Sequence, residues 1–376
     1  MTATSAPPFP NIILLLQKRI RLTHDHLYSF PYSSSQSYAS TLSSFYKLCI
    51  PPCPHPVGYL LSSVALLLEE TLFTSSSLTE EWVFNHTVRT LTLRLGFPNA
   101  DLAPDSPRAL AARSSIFERT ARLMRESNNW AVLKGWRDEL YPIYGSIHGQ
   151  RTLLASVERA ASPLFGIISY GCHLTAYVRR PGQEMQLWIP RRAHTKSTYP
   201  GLLDNTVAGG IATGESPWTC IVREAEEEAS LPAALMQERC KAAGTVTYLH
   251  IRDKRAGGET GLLQPECQFV YDLDMTGYVH PESGKAVVPT PLDGEVESFE
   301  LIGVGEVRER MGRGEFKPNC AVVLLDFLVR QGVLTAEDEQ GGGGEYMRVC
   351  ERLHRRLEAE FGDLVGKAGD EEEEEV

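Results

Sequence analysis

The stretch that most constrains the fold runs from Gly209 to Leu231 and reads GGIATGESPWTCIVREAEEEASL. Ser216 followed by Pro217 predicts a helix start, because serine caps free backbone N–H groups and proline fits the first helical position. Beyond this start, apolar residues recur every three or four positions, which predicts an amphipathic helix with one face in a core. The recurring residues are Trp218, Ile221, Val222, Ala225 and Ala229.

Three glutamates on this predicted helix are difficult to explain by stability. Glu224, Glu227 and Glu228 are spaced i, i+3 and i+4, so their carboxylates crowd one helix face and repel one another. A divalent cation removes that repulsion, and carboxylate oxygens are the donors that Mg²⁺ or Mn²⁺ prefers. Gly209 ahead of the helix lets the backbone approach a metal or a phosphate closely. The pattern therefore predicts a metal site; the alternative is a solvated acidic face.

The spacing of the whole stretch resembles the signature of the Nudix hydrolases, G-x5-E-x7-R-E-φ-x-E-E-x-G-φ, where φ is apolar. The matching residues are Gly209, Glu215, Arg223, Glu224, Ala225, Glu227, Glu228 and Leu231. Ser230 replaces the last glycine at the predicted helix end, where a left-handed residue is common. The resemblance implies a mixed sheet between helices, with the signature as a loop, a helix and a loop. It also implies a Mg²⁺- or Mn²⁺-dependent hydrolase of a small-molecule diphosphate.

The resemblance also implies roles for individual residues. Its metal ligands would be Gly209, through the carbonyl, with Glu224, Glu227 and Glu228. Glu224 could instead take a proton from the attacking water, since members of the family differ in this respect. Arg223 would orient Glu224 through a bidentate pair, and Glu215 would pair with the helix or support it.

Two further groups of residues are candidates for the site. An acid outside the signature often serves such enzymes as base or ligand, and here Glu295 or Glu297 is the candidate. Arg191, Arg192 and Lys196 form a basic cluster ahead of the acidic helix. This cluster could contact substrate phosphates, or it could be ordinary surface charge.

A narrower resemblance extends over most of the chain. It points to the fungal and plant Nudix group related to the non-kinase part of certain thiamine pyrophosphokinases. This resemblance implies hydrolysis of damaged thiamine diphosphates, the oxo- and oxy- forms, to monophosphates. The alternatives are an ADP-ribose or other nucleotide-diphosphate hydrolase and a non-catalytic binding module; the intact glutamates and arginine argue against the module. The segments that carry the resemblance are Trp136–Tyr141, Glu158–Ala160, Leu164–Ile167, Tyr170–His173, Leu203–Asn205, Lys317–Cys320 and Leu353–Leu357.

The chain divides into four predicted parts. We expect an α+β accessory domain over residues 1–160, followed by an α/β/α Nudix domain, a mixed sheet between helices, over 161–340. A linker with a C-terminal helix follows over 341–369, and an acidic tail over 370–376 is expected to be disordered. Helices are predicted over Val57–Leu72, Ser106–Met124 and Cys320–Gln331, and strands over Trp82–Asn85, Arg89–Leu93, Trp136–Tyr144, Gly171–Arg179, Met185–Arg191, Gly244–Arg252 and Glu266–Leu273.

Composition excludes several classes of function and leaves location and oligomeric state open. The net charge of -11 argues against nucleic-acid binding, which needs a basic face. Apolar runs such as Ile12–Leu16 are too short to span a bilayer. The eight scattered cysteines include no CxxC pair, which predicts reduced thiols in a cytoplasmic protein. Lys18, Arg19 and Arg21, in an N-terminal stretch without acids, keep a mitochondrial presequence possible.

Overall fold

The computed structural model describes residues 43–335, except 75–77, 97–101 and 253, together with Leu353. The predicted acidic tail lies outside the described residues, and so do the predicted linker and C-terminal helix apart from Leu353. Leu353 is helical and packs in an apolar cluster of the second domain. Within the described ranges, no helix is long and apolar enough to cross a membrane.

The first domain begins with a four-stranded sheet in the order β2-β1-β4-β3, in which β1 and β4 run parallel. The strands are β1 (Tyr46–Cys49), β2 (Gly58–Leu60), β3 (Trp82–Asn85) and β4 (Thr90–Leu93). Helix α1 (Ser62–Phe73) follows β2, so the helix predicted from Val57 begins five residues later than expected. Residues 58–60 are strand because they pair antiparallel with β1, and this tertiary pairing overrides their local helical pattern.

Helix α2 (Pro107–Glu126) confirms the predicted helix, with the Ser106 hydroxyl accepting from Ala109 N at 3.2 Å. Buried Arg113 on α2 donates to the backbone oxygen of Leu154 at 2.6 Å and fixes the helix against a hairpin. That hairpin consists of β5 (Leu140–Ile147) and β6 (Gln150–Glu158). The strand predicted over 136–144 is shifted because Ala131–Gly135 forms a 3₁₀ helix and Asp138 has a φ of 57°.

A short turn joins the two domains. The 3₁₀ helix Arg159–Ala161 leads into α3 (Ser162–Phe165), which ends at Gly166 in the left-handed conformation with a φ of 57°. The Gly166 oxygen accepts from Tyr59 N at 3.2 Å, which ties the turn back to the first sheet. The first apolar cluster continues to Ile167, and the predicted division at residue 160 stays a prediction.

The second domain is built on a six-stranded mixed sheet with β7 near its centre. The strand order is β10-β11-β7-β8-β12, and β9 pairs with β7 as well. β7 runs parallel to β11 and antiparallel to β8 and β9. The strands are β7 (Ser169–Val178), β8 (Gln186–Arg192), β9 (Val207–Gly210), β10 (Cys240–Ile251), β11 (Leu263–Asp274) and β12 (Val296–Gly303).

Helices cover both faces of this sheet. Leu174 on β7 packs in the cluster that includes Ile221 of the signature helix, whereas Val270 on β11 packs in the opposite cluster with Phe327. The expected order of an α+β domain followed by an α/β/α Nudix fold is therefore confirmed. The helices are α4 (Pro217–Ala229) and α5 (Ala233–Arg239) with the first cluster, and α6 (Val304–Arg313) and α7 (Pro318–Arg330) with the second.

Replacing Gly166 by alanine tests the junction between the domains. A Cβ atom at Gly166 would lie 1.9 Å from the backbone oxygen of Tyr59, and backbone cannot move aside as a side-chain end can. We expect Gly166→Ala to lower the free energy of unfolding by about 3 kcal/mol or more. Gly149 also has a positive φ but has nothing within 4 Å, so Gly149→Ala should cost only about 1 kcal/mol. Equal losses in urea unfolding would contradict the junction described here.

Candidate active site

The ends of α4 set the position of the signature glutamates. At the start, the Ser216 hydroxyl accepts from Thr219 N at 3.0 Å, as its place before Pro217 predicts. At the end, Ser230 takes the left-handed conformation with a φ of 52°, and its hydroxyl donates to Thr290 O at 3.0 Å. Serine therefore takes the role of the signature glycine at a conformational cost of about 1 kcal/mol, which this hydrogen bond offsets.

β9 brings the backbone directly against the glutamates of α4. Gly209 pairs with Cys172 on the central strand, and a Cβ atom at Gly209 would lie 2.3 Å from the Glu224 carboxyl carbon. The Glu228 carboxylate accepts from Ala208 N at 3.0 Å. The Gly209 backbone thus lies against the Glu224 carboxylate, and the Ala208 backbone lies against the Glu228 carboxylate. Carboxylate and carbonyl oxygens are the hard donors that fit Mg²⁺ or Mn²⁺.

The electrostatics of the glutamates follow from burial. Burial raises the pKa of Glu228 well above its ordinary value, and the nearby Glu224 charge adds to this rise, although the Ala208 N–H opposes it. Burial also raises the pKa of Glu224, with the Arg223 guanidinium opposing the rise. Glu227 is half exposed. A cation next to the Glu224 and Glu228 carboxylates would favour their charged forms.

Arg223 connects three of the carboxylates. Its guanidinium makes a bidentate pair with Glu215, at 3.0 and 3.2 Å, and single contacts to Glu224 at 3.0 Å and Glu227 at 2.9 Å. The expected bidentate pair with Glu224 is therefore wrong, because that fork lies on Glu215. Glu224 is the next residue along the helix, so its carboxylate projects in a different direction and reaches only one nitrogen.

The basic cluster is divided by the fold. Lys196 and Arg192 line the cleft described below, whereas Arg191 does not; its guanidinium donates to Gly201 O at 2.9 Å. The Lys196 ammonium pairs with Glu295. Burial alone would raise the pKa of Glu295, but the pair with Lys196 outweighs burial and lowers it. Glu295 lines the cleft, but Glu297 does not and lies 3.6 Å from His194.

A cleft of about 900 Å³ lies between the two domains, with the signature on one wall. The opposite wall belongs to the first domain, which contributes Val132, Lys134, Arg137, Glu139, Tyr141 and Arg159. The sequence analysis gave these residues no site role, although Arg137, Glu139, Tyr141 and Arg159 lie in segments that carry the narrower resemblance. Their proximity comes from the packing of the β5–β6 hairpin on the second domain, where Thr213 N donates to Leu140 O at 2.7 Å.

A group of hydrogen-bonding side chains lines another part of the cleft. The Glu266 carboxylate accepts from Gln264 Nε2 at 2.5 Å, from Gln268 Nε2 at 2.7 Å and from the Tyr248 hydroxyl. Because the Gln268 nitrogen faces a carboxylate, its Oε1 points elsewhere, and it is buried without a partner among the described residues. Gln264, Glu266 and Gln268 alternate along β11, so strand periodicity is the signal that could have identified them.

A second polar group is buried beneath the cleft. Among the described residues, His173, Asp204 and Cys320 form the one set of three with ligand atoms within 4.8 Å of one another, so the carboxylates of α4 are not gathered that closely. Each member of the set already has a partner: Arg192 donates to Asp204 at 2.6 Å, Cys320 Sγ donates to Asp204 at 2.5 Å, and His173 Nδ1 lies 2.8 Å from Asn205 Oδ1. Burial lowers the pKa of His173 to about 4, so this imidazole is neutral at pH 7.

Comparisons with known proteins agree with this geometry. Residues 173–320 match the NUDIX domain, and residues 100–169 match a domain of unknown function (DUF4743). An uncharacterized protein of Saccharomyces cerevisiae is 36% identical over 250 residues, which are 65% of this chain and 68% of that protein. Residues 173–320 of the chain are therefore a NUDIX domain. This domain is typical of enzymes that hydrolyse phosphoric anhydrides.

Two plant Nudix hydrolases are also similar. Nudix hydrolase 20, chloroplastic, of Arabidopsis thaliana is 40% identical over 226 residues, which are 60% of this chain and 54% of that protein. Nudix hydrolase 24, chloroplastic, of the same plant is 38% identical over 218 residues, which are 58% of this chain and 54% of that protein. The chain therefore spans about half the length of these two relatives.

The buried His173 predicts a specific pH dependence of stability. The folded imidazole has a lowered pKa, so below an unfolded value of about 6.5 the unfolded chain binds the extra proton and stability falls. Between pH 7 and pH 5 this effect amounts to about 2 kcal/mol. We expect His173→Gln to remove about that much of the pH dependence, measured by urea unfolding at both pH values. An unchanged difference between pH 7 and pH 5 would show that the His173 pKa is not lowered.

Proposed function

We propose that this protein is a Mg²⁺- or Mn²⁺-dependent diphosphatase that converts oxo- or oxy-damaged thiamine diphosphate to the monophosphate. The observation that carries the reaction is the contact of the Ala208–Gly209 backbone with the partly buried Glu224 carboxylate and the buried Glu228 carboxylate in the cleft. In an enzyme that cleaves phosphoric anhydrides, such an oxygen-donor set serves to hold a divalent cation against the diphosphate.

Each residue of the site has a proposed role. Gly209, Glu224 and Glu228 hold the cation, which supplies neutralisation of phosphate charge and a lowered pKa of water. Arg223 positions Glu224 and Glu227 through its contacts with both. As the alternative role, Glu224, which lines the cleft, accepts the proton of the attacking water.

The proposed substrate class rests on the resemblance to the thiamine-related Nudix group, and the cleft chemistry supports it. The Glu266 carboxylate and the Gln268 Oε1 are acceptors, and Gln268 Oε1 has no donor among the described residues. A nitrogen heterocycle with N–H or amino donors, as in thiamine and its derivatives, complements such acceptors.

Hydrolysis of a panel of diphosphates tests this proposal. The panel contains thiamine, oxothiamine and oxythiamine diphosphates, ADP-ribose and common nucleoside diphosphates, each with Mg²⁺. We expect the highest kcat/KM with an oxidised thiamine diphosphate and the corresponding monophosphate as product. A preference for ADP-ribose would overturn the substrate and keep the glutamate chemistry, whereas no turnover by folded protein would overturn both.

Replacing Glu228 by glutamine tests the metal role. Glu228→Gln removes a charged ligand with little change of shape, so we expect kcat to fall by about 10²-fold or more while the fold is retained. Glu226 lies on the same helix but is exposed and outside the cleft, so Glu226→Gln is the matched control with near wild-type kcat. Mg²⁺ affinity is measured on both variants by calorimetry. Wild-type turnover and Mg²⁺ affinity in Glu228→Gln would contradict the assigned role.

A further inference from the structure

The positive charges of the second domain that line the cleft are mostly occupied. Arg192, Lys196 and Arg223 each form an ion pair with a carboxylate. Arg252 donates to two backbone oxygens and to a glutamine side chain. Lys317 is the exception, since it makes no ion pair with the described residues, but it lies beside the buried Asp204. The second domain therefore offers little free positive charge to a diphosphate.

The first domain offers more free positive charge to a diphosphate than the second domain does. Lys134, Arg137 and Arg159 line the cleft, and the side chains of Lys134 and Arg137 make no hydrogen bond or ion pair with the residues that the structure describes. Arg159 makes one ion pair, with Glu139 at 2.7 Å, and its guanidinium lies over the Tyr141 ring, 5.3 Å from the centroid. These contacts hold the Arg159 guanidinium in place and leave most of its N–H donors for another partner.

Arg159 is held close to the signature. The Tyr141 hydroxyl occupies the space beside Gly210, where a Cβ atom would lie 1.9 Å from it, and Gly210 adjoins the proposed metal-binding carbonyl of Gly209. Burial raises the pKa of Glu224, while Arg223 and, to a smaller extent, Arg159 lower it, which agrees with this proximity. Arg159 therefore faces the wall that carries the glutamates.

The position of this first-domain wall is fixed by contacts to the second domain. The Glu259 carboxylate accepts from the backbone nitrogens of Ala131, at 2.5 Å, and Val132, at 3.0 Å. The Thr213 hydroxyl donates to Ser156 Oγ at 3.0 Å. The wall is thus tied on both sides of the cleft, so its cations are pre-organised.

We propose that Arg159 binds a phosphate group of the substrate, so that the first domain completes the active site. The inference rests on the proposed diphosphatase function and deepens it. A guanidinium presents paired N–H donors that match phosphate oxygens, and a diphosphate carries more negative charge than one divalent cation neutralises. Arg159 thereby adds a phosphate contact to the basic cluster expected from the sequence, of which Arg192 and Lys196 line the cleft and Arg191 does not.

Binding of inorganic pyrophosphate by the full chain, measured by calorimetry with Ca²⁺, tests this inference without requiring turnover. Arg159→Met keeps most of the side-chain packing and removes the charge, and we expect about a tenfold to hundredfold weaker pyrophosphate binding. Arg159→Lys keeps the charge without the fork and should bind with intermediate affinity. With thiamine-type diphosphates, KM should rise in the same order.

Arg151 provides the matched control. It is also in the first domain, and its guanidinium lies over the Tyr144 ring at 3.9 Å, but it does not line the cleft. Arg151→Met should therefore keep wild-type pyrophosphate affinity. Thermal unfolding and Ca²⁺ affinity of all variants verify that the fold and the cation site are intact.

The outcomes separate this inference from the proposed function. Wild-type pyrophosphate affinity in Arg159→Met, an equal loss in Arg151→Met, or no binding by the wild-type protein would each overturn the role of Arg159. A different result is that the wild-type protein binds pyrophosphate but hydrolyses none of the panel, and that only Arg159→Met weakens this binding. In that case the proposed function is wrong and the phosphate site at Arg159 stands.

Discussion

The close approach of the Gly209 backbone to the Glu224 carboxylate is the constraint on which the rest of the site depends. A Cβ atom at Gly209 would lie 2.3 Å from that carboxyl group, so glycine at this position leaves the Glu224 carboxylate where it is. β9 is in turn held by its pairing with central strand β7, and α4 by apolar contacts of Ile221 and Ala225 to the same sheet. Backbone and carboxylates thus form one rigid donor set.

When no cation is bound, ionisation of the carboxylates in this donor set lowers the stability of the folded protein. Since burial raises the pKa values of Glu224 and Glu228, the folded chain binds protons more tightly than the unfolded chain does. Stability from these two groups is therefore present at low pH and is lost as pH rises towards their folded pKa values. A cation and protons compete for the same oxygens. Binding the cation therefore offsets the charge repulsion and the loss of hydration that ionisation of these carboxylates brings.

Structural features that depend on residues close together in the chain could be predicted from the sequence. The cap at Ser216 and the left-handed Ser230 follow from neighbouring residues, and the structure contains both. The strands predicted over Gly171–Arg179 and Glu266–Leu273 are found as β7 and β11. Gly58–Leu60 was predicted as helix because its strand partner is distant in sequence. Arg191 was selected on charge alone, although side-chain direction on β8 decides whether a cation reaches the cleft.

The sequence analysis gave the first domain no role in the site, because its residues reach the cleft through packing and no spacing pattern relates them to the glutamates. The signature wall alone is open on one side, and a cation site open to water gives weak electrostatic discrimination. The wall that carries Tyr141 and Arg159 closes that side, and Glu259 fixes the distance between the walls. A shift of the β5–β6 register by one residue would turn the Tyr141 side chain away from Gly210. The position of Tyr141 in the cleft therefore depends on the register of the hairpin.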